Sequence, residues 1–256
     1  MTGAPLVAFR NVGKTFANST VALDGLSLEV GAHDFVSVVG PSGCGKSTAL
    51  RMIAGLDQPS AGGVTTPLAQ AGGAAHEVGF VFQEPTLMPW ARVADNVRLP
   101  LRLAGMADAD AAQRVDEALE MVGLAQFRDA WPRELSGGMK MRVSIARALV
   151  TRPRLLLMDE PFAALDEMTR LKLNDDLLRL WAAHRWTVMF VTHSVYESVY
   201  LSNRIVVMAA RPGRVVADIA VDAAYPRDEE FRLSPRYAEH CRAVSRALHG
   251  SGAAHA

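Results

Sequence analysis

The sequence has 256 residues, 50% of them hydrophobic, which is enough for a large core in one or two domains. Its 27 basic and 27 acidic side chains cancel, so no bulk charge attracts nucleic acid or an anionic lipid surface. Two cysteines, Cys44 and Cys241, are too few for a disulfide framework and predict a reducing compartment.

The apolar runs of the sequence are short. The strongest, such as "TVMFVTH", fall far below the ~18 to 20 residues of a membrane span. The start, "MTGAPLVAFR", lacks the pattern of a secretory signal. We therefore expect any work at a membrane to go through a partner protein.

The first predicted elements are an antiparallel strand pair, because "LVAFRNV" and "VALDGLSLEV" alternate apolar and polar residues. Next comes "HDFVSVVG", a nearly continuous apolar run that is typical of a strand buried on both faces. A helix is predicted from Lys46, with Gly55 at its end. Residues 56–76 have no periodicity and are predicted to be a surface excursion before the strand "EVGFVFQ".

Residues 86–150 are predicted to be mostly helical, and Val115, Ala118, Leu119 and Val122 share one helix face. Strand patterns return at "RLLLMD", "TVMFVTH" and "RIVVMAA", with a helical pattern between the first two. "RPGRVVADIAVD" predicts an edge hairpin, and "SPRYAEHCRAVSRAL" predicts a last helix before a frayed tail. Strands that alternate with helices indicate a mostly parallel sheet covered on both faces.

The stretch "GPSGCGKST" matches the phosphate-loop pattern G-x-x-x-x-G-K-[ST] in full. Its glycines let backbone N–H groups approach phosphate oxygens, and the following helix directs its positive end at the anion. Lys46 is placed to reach the β and γ phosphates, and Ser47 to bind Mg²⁺. The alternative is a glycine turn that happens to precede a lysine, and a predicted strand before and helix after disfavour it. The nucleotide-binding residues predicted here are Gly40, Pro41, Ser42, Gly43, Cys44, Gly45, Lys46, Ser47 and Thr48.

The strand pattern "RLLLMDEP" ends in two adjacent acids. Asp159, at the carboxyl end of the strand, is placed to hold Mg²⁺, and Glu160 to polarise an attacking water. The alternative is a solvated strand end with a turn at Pro161, which the upstream phosphate loop makes less favoured. The two motifs together predict a P-loop nucleotidase.

A second glycine loop, "LSGGMKMR", places Ser136, Gly137 and Gly138 before a helical pattern. With the two motifs above, the chain resembles the ATP-binding cassette family, whose signature loop is Leu-Ser-Gly-Gly, most often followed by Gln. Met139 and Met141 stand where the family commonly has glutamines. The resemblance implies that Ser136 and the two glycines bind phosphate, whereas the glutamine hydrogen bonds are missing.

The resemblance assigns roles to four further residues. Phe16 would stack on adenine, and Gln83 would contact Mg²⁺ and the attacking water. Asp166 lies in the loop that crosses to a partner cassette, and His193 would bind the γ-phosphate. Taken alone, Phe16 would be a core strand residue and His193 an ordinary strand end.

The resemblance also implies the fold: a single α/β domain over residues 1–256, with a P-loop NTPase (RecA-like) core, an N-terminal antiparallel β subdomain and an inserted α-helical subdomain. The core and β subdomain would comprise residues 1–85 and 151–225, and the helical signature subdomain residues 86–150. Residues 226–256 would form a C-terminal helix and a frayed tail.

Three stretches, "VFQEPTLMPWARVADNVRLPLRLAG", "SGGMKMRVSIARAL" and "MDEPFAALDEMTR", carry a resemblance to one subgroup. Within the family they are most similar to import ATPases of the nitrate, sulfonate and taurine group. This resemblance implies ATP and Mg²⁺ as cofactors and an ATP-dependent homodimer, in which Ser136, Gly137 and Gly138 cover the nucleotide of the other copy. A permease would dock on the segment from Gln83 to about Leu103, at the cytoplasmic face of the inner membrane, and an extracytoplasmic solute-binding protein would complete the importer.

A different ABC importer subgroup stays open from the sequence, and so do two other functions. One is a soluble cassette ATPase of the DNA-repair or translation type, although the chain has neither a long coiled coil nor a second cassette. The other is a cassette that only binds nucleotide, which the presence of Glu160 and His193 disfavours. We expect no nucleic acid among the partners.

Overall fold

The computed structural model describes residues 4–66 and 77–252. The strands are β1 Val7–Thr15, β2 Val21–Val30, β3 Phe35–Val39, β4 Ala61–Thr65, β5 Val78–Val81, β6 Leu155–Asp159, β7 Thr187–Thr192, β8 Arg204–Ala209 and β9 Arg214–Ala220. The helices are α1 Lys46–Ile53, α2 Val93–Leu103, α3 Asp108–Met121, α4 Gly137–Leu149, α5 Glu167–His184, α6 Val195–Leu201, α7 Glu229–Leu233 and α8 Pro235–Gly252. Short 3-10 helices occupy Ala125–Phe127 and Pro132–Glu134.

The central sheet has the strand order β5-β6-β7-β3-β8-β9. Its pairs are parallel except for the hairpin of β8 and β9 at one edge. Every residue of β3 and β7 is buried, as expected for strands covered on both faces. The predicted parallel sheet and the predicted edge hairpin are confirmed.

Two hydrophobic clusters lie on opposite faces of this sheet. Leu155 and Leu157 of β6 face the cluster formed with α1, β1 and β2. Leu156 and Met158 face the larger cluster, which includes α2 to α6 and α8. The period-2 alternation of side chains along a strand therefore divides one apolar run between two cores.

A second sheet has the order β2-β1-β4, with both pairs antiparallel. The pairing of β1 with β2 confirms the prediction, but β4 corrects it, because residues 56–66 were expected to lack a strand. The sequence "AGGVT" carries almost no apolar signal, and its strand is held by backbone pairing with β1. Gly62 has φ of 74°, and a Cβ there would lie 2.3 Å from the carbonyl oxygen of Asn11. Residues 67–76 of the predicted excursion lie outside the described residues.

The helices α2, α3 and α4, which lie between β5 and β6 in the chain, confirm the prediction that residues 86–150 are mostly helical. Val115, Ala118, Leu119 and Val122 are all buried, on one side of α3. Gly55, just after α1, has φ of 71°, the left-handed conformation expected at a helix end.

The described residues end in α8, which confirms the predicted last helix, and a buried arginine attaches the segment before α8 to the end of α6. Arg227 donates hydrogen bonds to the carbonyl oxygens of Val199 (2.8 Å), Tyr200 (3.0 Å) and Ser202 (2.8 Å). Its guanidinium carbon lies 4.1 Å from the ring centroid of Tyr225. Burial lowers the pKa of Arg227. The tail predicted to fray, residues 253–256, lies outside the described residues.

No helix in residues 4–66 and 77–252 combines the length and apolar character needed to cross a membrane.

Candidate nucleotide site

Residues predicted to bind phosphate, hold magnesium and catalyse hydrolysis lie together at the carboxyl edge of the central sheet. Gly40 follows β3, Asp159 ends β6, and His193 follows β7. These strands are neighbours in the order β6-β7-β3, and Val39 lies beside Thr192 while Asp159 lies beside Val191. Residues from three distant parts of the chain therefore converge where ligands bind in open parallel sheets.

The phosphate loop needs glycine at two crowded positions. A Cβ on Gly40 would lie 2.6 Å from the carbonyl oxygen of Met208. Gly45, the N-cap of α1, has φ of 88°, and a Cβ there would lie 2.5 Å from Cδ2 of Leu23. The loop curls tightly into the start of α1, and glycine is needed at both positions because a larger residue would not fit.

Lys46 is folded back onto this loop. Its side chain donates to the carbonyl oxygens of Gly40 (2.8 Å) and Pro41 (3.1 Å), and the residue is only 4% exposed. Carbonyl oxygens thus compensate the buried ammonium. Burial raises the pKa of the neighbouring Cys44 thiol, which favours the protonated and less reactive form.

Ser47 and Asp159 form the candidate magnesium site. The hydroxyl of Ser47 donates to Oδ1 of Asp159 at 2.8 Å. Burial raises the pKa of Asp159, and the nearby charge of Glu160 also raises it, so a cation here would stabilise the carboxylate. A hydroxyl and one carboxylate suit Mg²⁺, which usually keeps several water or phosphate ligands. Over residues 4–66 and 77–252, no cluster of three or more His, Cys, Asp and Glu side chains could hold a metal alone.

Glu160 and His193 form a close pair next to that site. Nε2 of His193 lies 2.7 Å from Oε1 of Glu160, and their side chains are 45% and 14% exposed. The backbone N–H of Glu160 donates to the carbonyl of Val191 at 3.0 Å. Glu160 has φ of 49°, a conformation that is unfavourable for a glutamate and is typical of functional sites.

Ser136, Gly137 and Gly138 lie at the start of α4, against the start of α5. Ser136 is the N-cap, and its Oγ accepts from the N–H of Met139 at 3.3 Å. A Cβ on Gly138 would lie 2.6 Å from Cγ2 of Thr169, so these two helix ends approach closely. Ser136 and Gly137 are exposed, and they are therefore free to contact another molecule.

Asp166 begins α5 in the same way, because its Oδ1 accepts from the N–H of Thr169 at 3.0 Å. This hydrogen bond lowers the pKa of Asp166. Asp166 itself is exposed. The helices that the two caps begin approach each other at Gly138 and Thr169.

Phe16 and Gln83 are exposed residues that follow β1 and β5. Phe16 is 40% exposed just after β1, so it is not a core residue, and Nζ of Lys14 lies 5.3 Å from its ring centroid. Lys14 is fixed by an ion pair with Asp57. Gln83 is exposed two residues beyond β5, which is the neighbour of β6.

A sequence model described as "ABC transporter" matches residues 23–163, more than half of the chain. The chain belongs to the ABC transporter family. An ATP-binding protein of Brucella abortus is 50% identical over 234 residues, which are 91% of this chain and 90% of that protein. The aliphatic sulfonates import ATP-binding protein SsuB 1 of Mesorhizobium japonicum is 47% identical over 226 residues, which are 88% and 83% of the two chains.

A solved structure, the ATP-binding cassette MJ0796 in a dimeric post-hydrolysis state with ADP and Pi, is similar with a TM-score of 0.74. It is 34% identical and covers 85% of this chain and 100% of its own. The predicted P-loop NTPase fold is confirmed. The chain is an ABC ATPase that binds and hydrolyses ATP.

The two methionines of the cassette's second glycine loop have a packing explanation. Met141 is buried in the larger hydrophobic cluster, and Met139 is partly buried against the same cluster. A glutamine amide at position 141 would need hydrogen-bond partners in that apolar environment.

Arg147 of α4, which no sequence motif singled out, contacts the loop that follows Gln83. Its guanidinium donates to the carbonyls of Pro85 and Thr86 and to Oγ1 of Thr86, each at 2.8 Å. Burial lowers the pKa of Arg147. A charged residue within the apolar pattern "VSIARALV" was the available signal.

Proposed function

We propose that this ABC ATPase is the energy-supplying subunit of an importer. The solute that it helps to import would be a small molecule of the aliphatic sulfonate class. The observation that carries the proposal is the convergence of the phosphate loop, Ser47–Asp159 and Glu160–His193 on one sheet edge. The high identity to a sulfonate import subunit supports the substrate class.

At this edge the N–H groups of the loop from Gly40 to Thr48 and the ammonium of Lys46 would bind the phosphates of ATP. Phe16 would stack on the base. Ser47, Gln83 and Asp159 would hold Mg²⁺, which neutralises charge on the phosphates when bound.

Glu160 would orient the attacking water and accept its proton. His193, whose Nε2 lies 2.7 Å from Oε1 of Glu160, would hold that carboxylate and contact the γ-phosphate. The unfavourable φ of Glu160 supports this role, because such strain is retained where a side chain must point in one direction.

A second copy of the chain would complete each site. Ser136, Gly137 and Gly138 would bind the γ-phosphate held by the partner copy, and Asp166 would line the crossing between the two. The exposure of Ser136, Gly137 and Asp166 supports this arrangement, as does the dimeric structure of the cassette MJ0796.

A permease would dock in an apolar groove of about 580 Å³ between β5, α2 and α4. Phe80 and Phe82 stack in its wall with centroids 4.3 Å apart. Leu103 lines the same groove and is 78% exposed. An exposed apolar surface of this kind suits a short helix of a membrane partner. The protein would then act at the cytoplasmic face of the inner membrane, with an extracytoplasmic protein that delivers the solute.

Co-expression with a multi-span permease, followed by ATPase and uptake assays in proteoliposomes, tests the proposal. We expect ATP turnover that rises when a sulfonate and its binding protein are added. Active hydrolysis without any permease association would contradict the transport function. Stimulation by an unrelated solute class would correct the substrate alone.

A further inference from the structure

Glu197 lies one turn into α6, next to the β7 end that carries His193. Glu197 is buried, with 8% of the residue exposed. It is not one of the residues predicted to bind nucleotide or magnesium. Burial of a carboxyl is unfavourable unless its oxygens find partners. The partners it has are therefore informative.

One oxygen of Glu197 fixes the residues on both sides of His193. Oε2 of Glu197 accepts a short hydrogen bond from the hydroxyl of Thr192. That hydroxyl in turn accepts from the N–H of Ser194 at 3.0 Å, and Oγ of Ser194 accepts from the N–H of Glu197 at 3.2 Å. The backbone that positions His193 is thus closed into a ring of hydrogen bonds.

The other oxygen of Glu197 points towards α5. Oε1 has no hydrogen-bond partner within the described residues and lies 3.8 Å from Nε of Arg170. Arg170 is in the first turn of α5, and its backbone N–H donates to the carbonyl oxygen of Asp166 at 2.9 Å. Glu197 therefore lies between the strand end of His193 and the helix that begins at the exposed Asp166 loop.

We propose that Glu197 is a positioning residue for hydrolysis, which sets the place of His193 against Glu160 by holding Thr192 and Ser194. This inference rests on the proposed roles of Glu160 and His193. Side chains that support a catalytic pair from behind keep it within the narrow geometry that turnover needs. Through Arg170, Glu197 also contacts the start of α5, where Asp166 is proposed to face a second copy.

The decisive variant is Glu197→Met, which keeps the length of the side chain but accepts no hydrogen bond from Thr192. Methionine fills the same buried volume and removes one buried carboxyl along with its hydrogen bond, so we expect the variant to fold with a melting temperature close to wild type. We expect kcat for ATP to fall about tenfold with KM for ATP almost unchanged, because the misplaced histidine impairs hydrolysis while the phosphate loop and Lys46 still carry ATP binding. Glu197→Gln, which retains an oxygen for Thr192, should recover most of kcat.

A double-mutant cycle separates positioning from a general loss of fold. In a His193→Ala background, Glu197→Met should cause no further decrease, since the residue that Glu197 positions is gone. Glu120→Met, on the exposed side of α3, is the matched control and should keep wild-type kcat. If Glu197→Met fails to fold, Thr192→Val removes the same hydrogen bond with almost no change in shape, and the same results are expected of it.

Wild-type kcat in a folded Glu197→Met or Thr192→Val variant would overturn the inference. An equal additional loss in the His193→Ala background would also overturn it, because the two residues would then act independently. Both results presuppose an active wild-type protein. A wild-type protein that does not hydrolyse ATP with its permease would instead overturn the proposed function and this inference with it.

Discussion

Nε2 of His193 lies 2.7 Å from Oε1 of Glu160, although the two residues follow different strands and are separated by the whole of α5. The pairing depends on the parallel register of β6 and β7, which places Asp159 beside Val191. The N–H of Glu160 also donates to the carbonyl of Val191. The pair proposed to be catalytic is therefore held by the sheet itself, and small changes in either side chain should affect turnover more than folding.

Glu160→Gln should bind ATP normally but hydrolyse it at least about a hundredfold more slowly, because an amide cannot accept a proton from water. The unhydrolysed ATP should hold two copies together as a stable dimer. Steady-state ATPase assays, equilibrium nucleotide binding and size-exclusion chromatography measure the three effects. Turnover at the wild-type rate would exclude Glu160 as the residue that activates water.

Ser136→Arg should abolish ATP-induced dimerisation while the isolated chain keeps its affinity for ATP. Ser136 is exposed at the start of α4, so a long cation there would block the surface of a second copy without disturbing the phosphate loop. Analytical ultracentrifugation with ATP in the Glu160→Gln background measures dimerisation.

Gln113→Arg is the control for Ser136→Arg, because it adds the same charge at an exposed position of α3. It should dimerise normally. A collapse of ATP affinity in the Ser136→Arg monomer would mean that Ser136 serves the nucleotide of its own chain.

The strand ends of the site were predictable because a buried parallel strand is a long apolar run whose end is marked by a polar residue. Asp159 ends β6 and His193 follows β7, and the pairing of these strands brings the two residues to one edge of the sheet. β4 was not predictable in the same way, because "AGGVT" is a strand through backbone pairing with β1 rather than through its side chains. Long-range pairing of this kind leaves no local pattern.

The contacts of single polar side chains were equally invisible in the sequence. Glu197 resembles any exposed glutamate in a helix, yet the structure buries it against Thr192. Arg147 likewise contacts a loop that lies about sixty residues upstream. Which face of a helix is buried can be predicted from its period, but a polar residue on that face can be interpreted only when its partners are known.

Arg147→Lys should lower the stability of the chain by about 1–3 kcal/mol, because one ammonium cannot satisfy the carbonyls of Pro85 and Thr86 together with Oγ1 of Thr86. This loop follows Gln83 and lines the groove proposed for the permease. We therefore also expect weaker stimulation of ATP turnover by the permease, with less effect on unstimulated turnover. Thermal unfolding and the ratio of stimulated to unstimulated rates measure the two effects.

Arg152→Lys is the matched control for Arg147→Lys, since Arg152 forms an exposed ion pair with Glu117. Exposed pairs contribute only about 0–1 kcal/mol, so stability and stimulation should both stay near wild type. Equal behaviour of the two variants would show that the contacts of Arg147 do not connect α4 to the loop.

Arg227→Met should be strongly destabilising although it lies far from the phosphate loop in sequence. The guanidinium is 4% exposed and donates to the carbonyls of Val199, Tyr200 and Ser202. Removing it leaves buried carbonyl oxygens without donors, at a cost of about 3 kcal/mol. Urea unfolding followed by circular dichroism should show a lower midpoint with an unchanged slope. Arg236→Met, which removes an exposed ion pair with Asp222, should leave the midpoint within error, and an equally small effect of Arg227→Met would show that water replaces its hydrogen bonds.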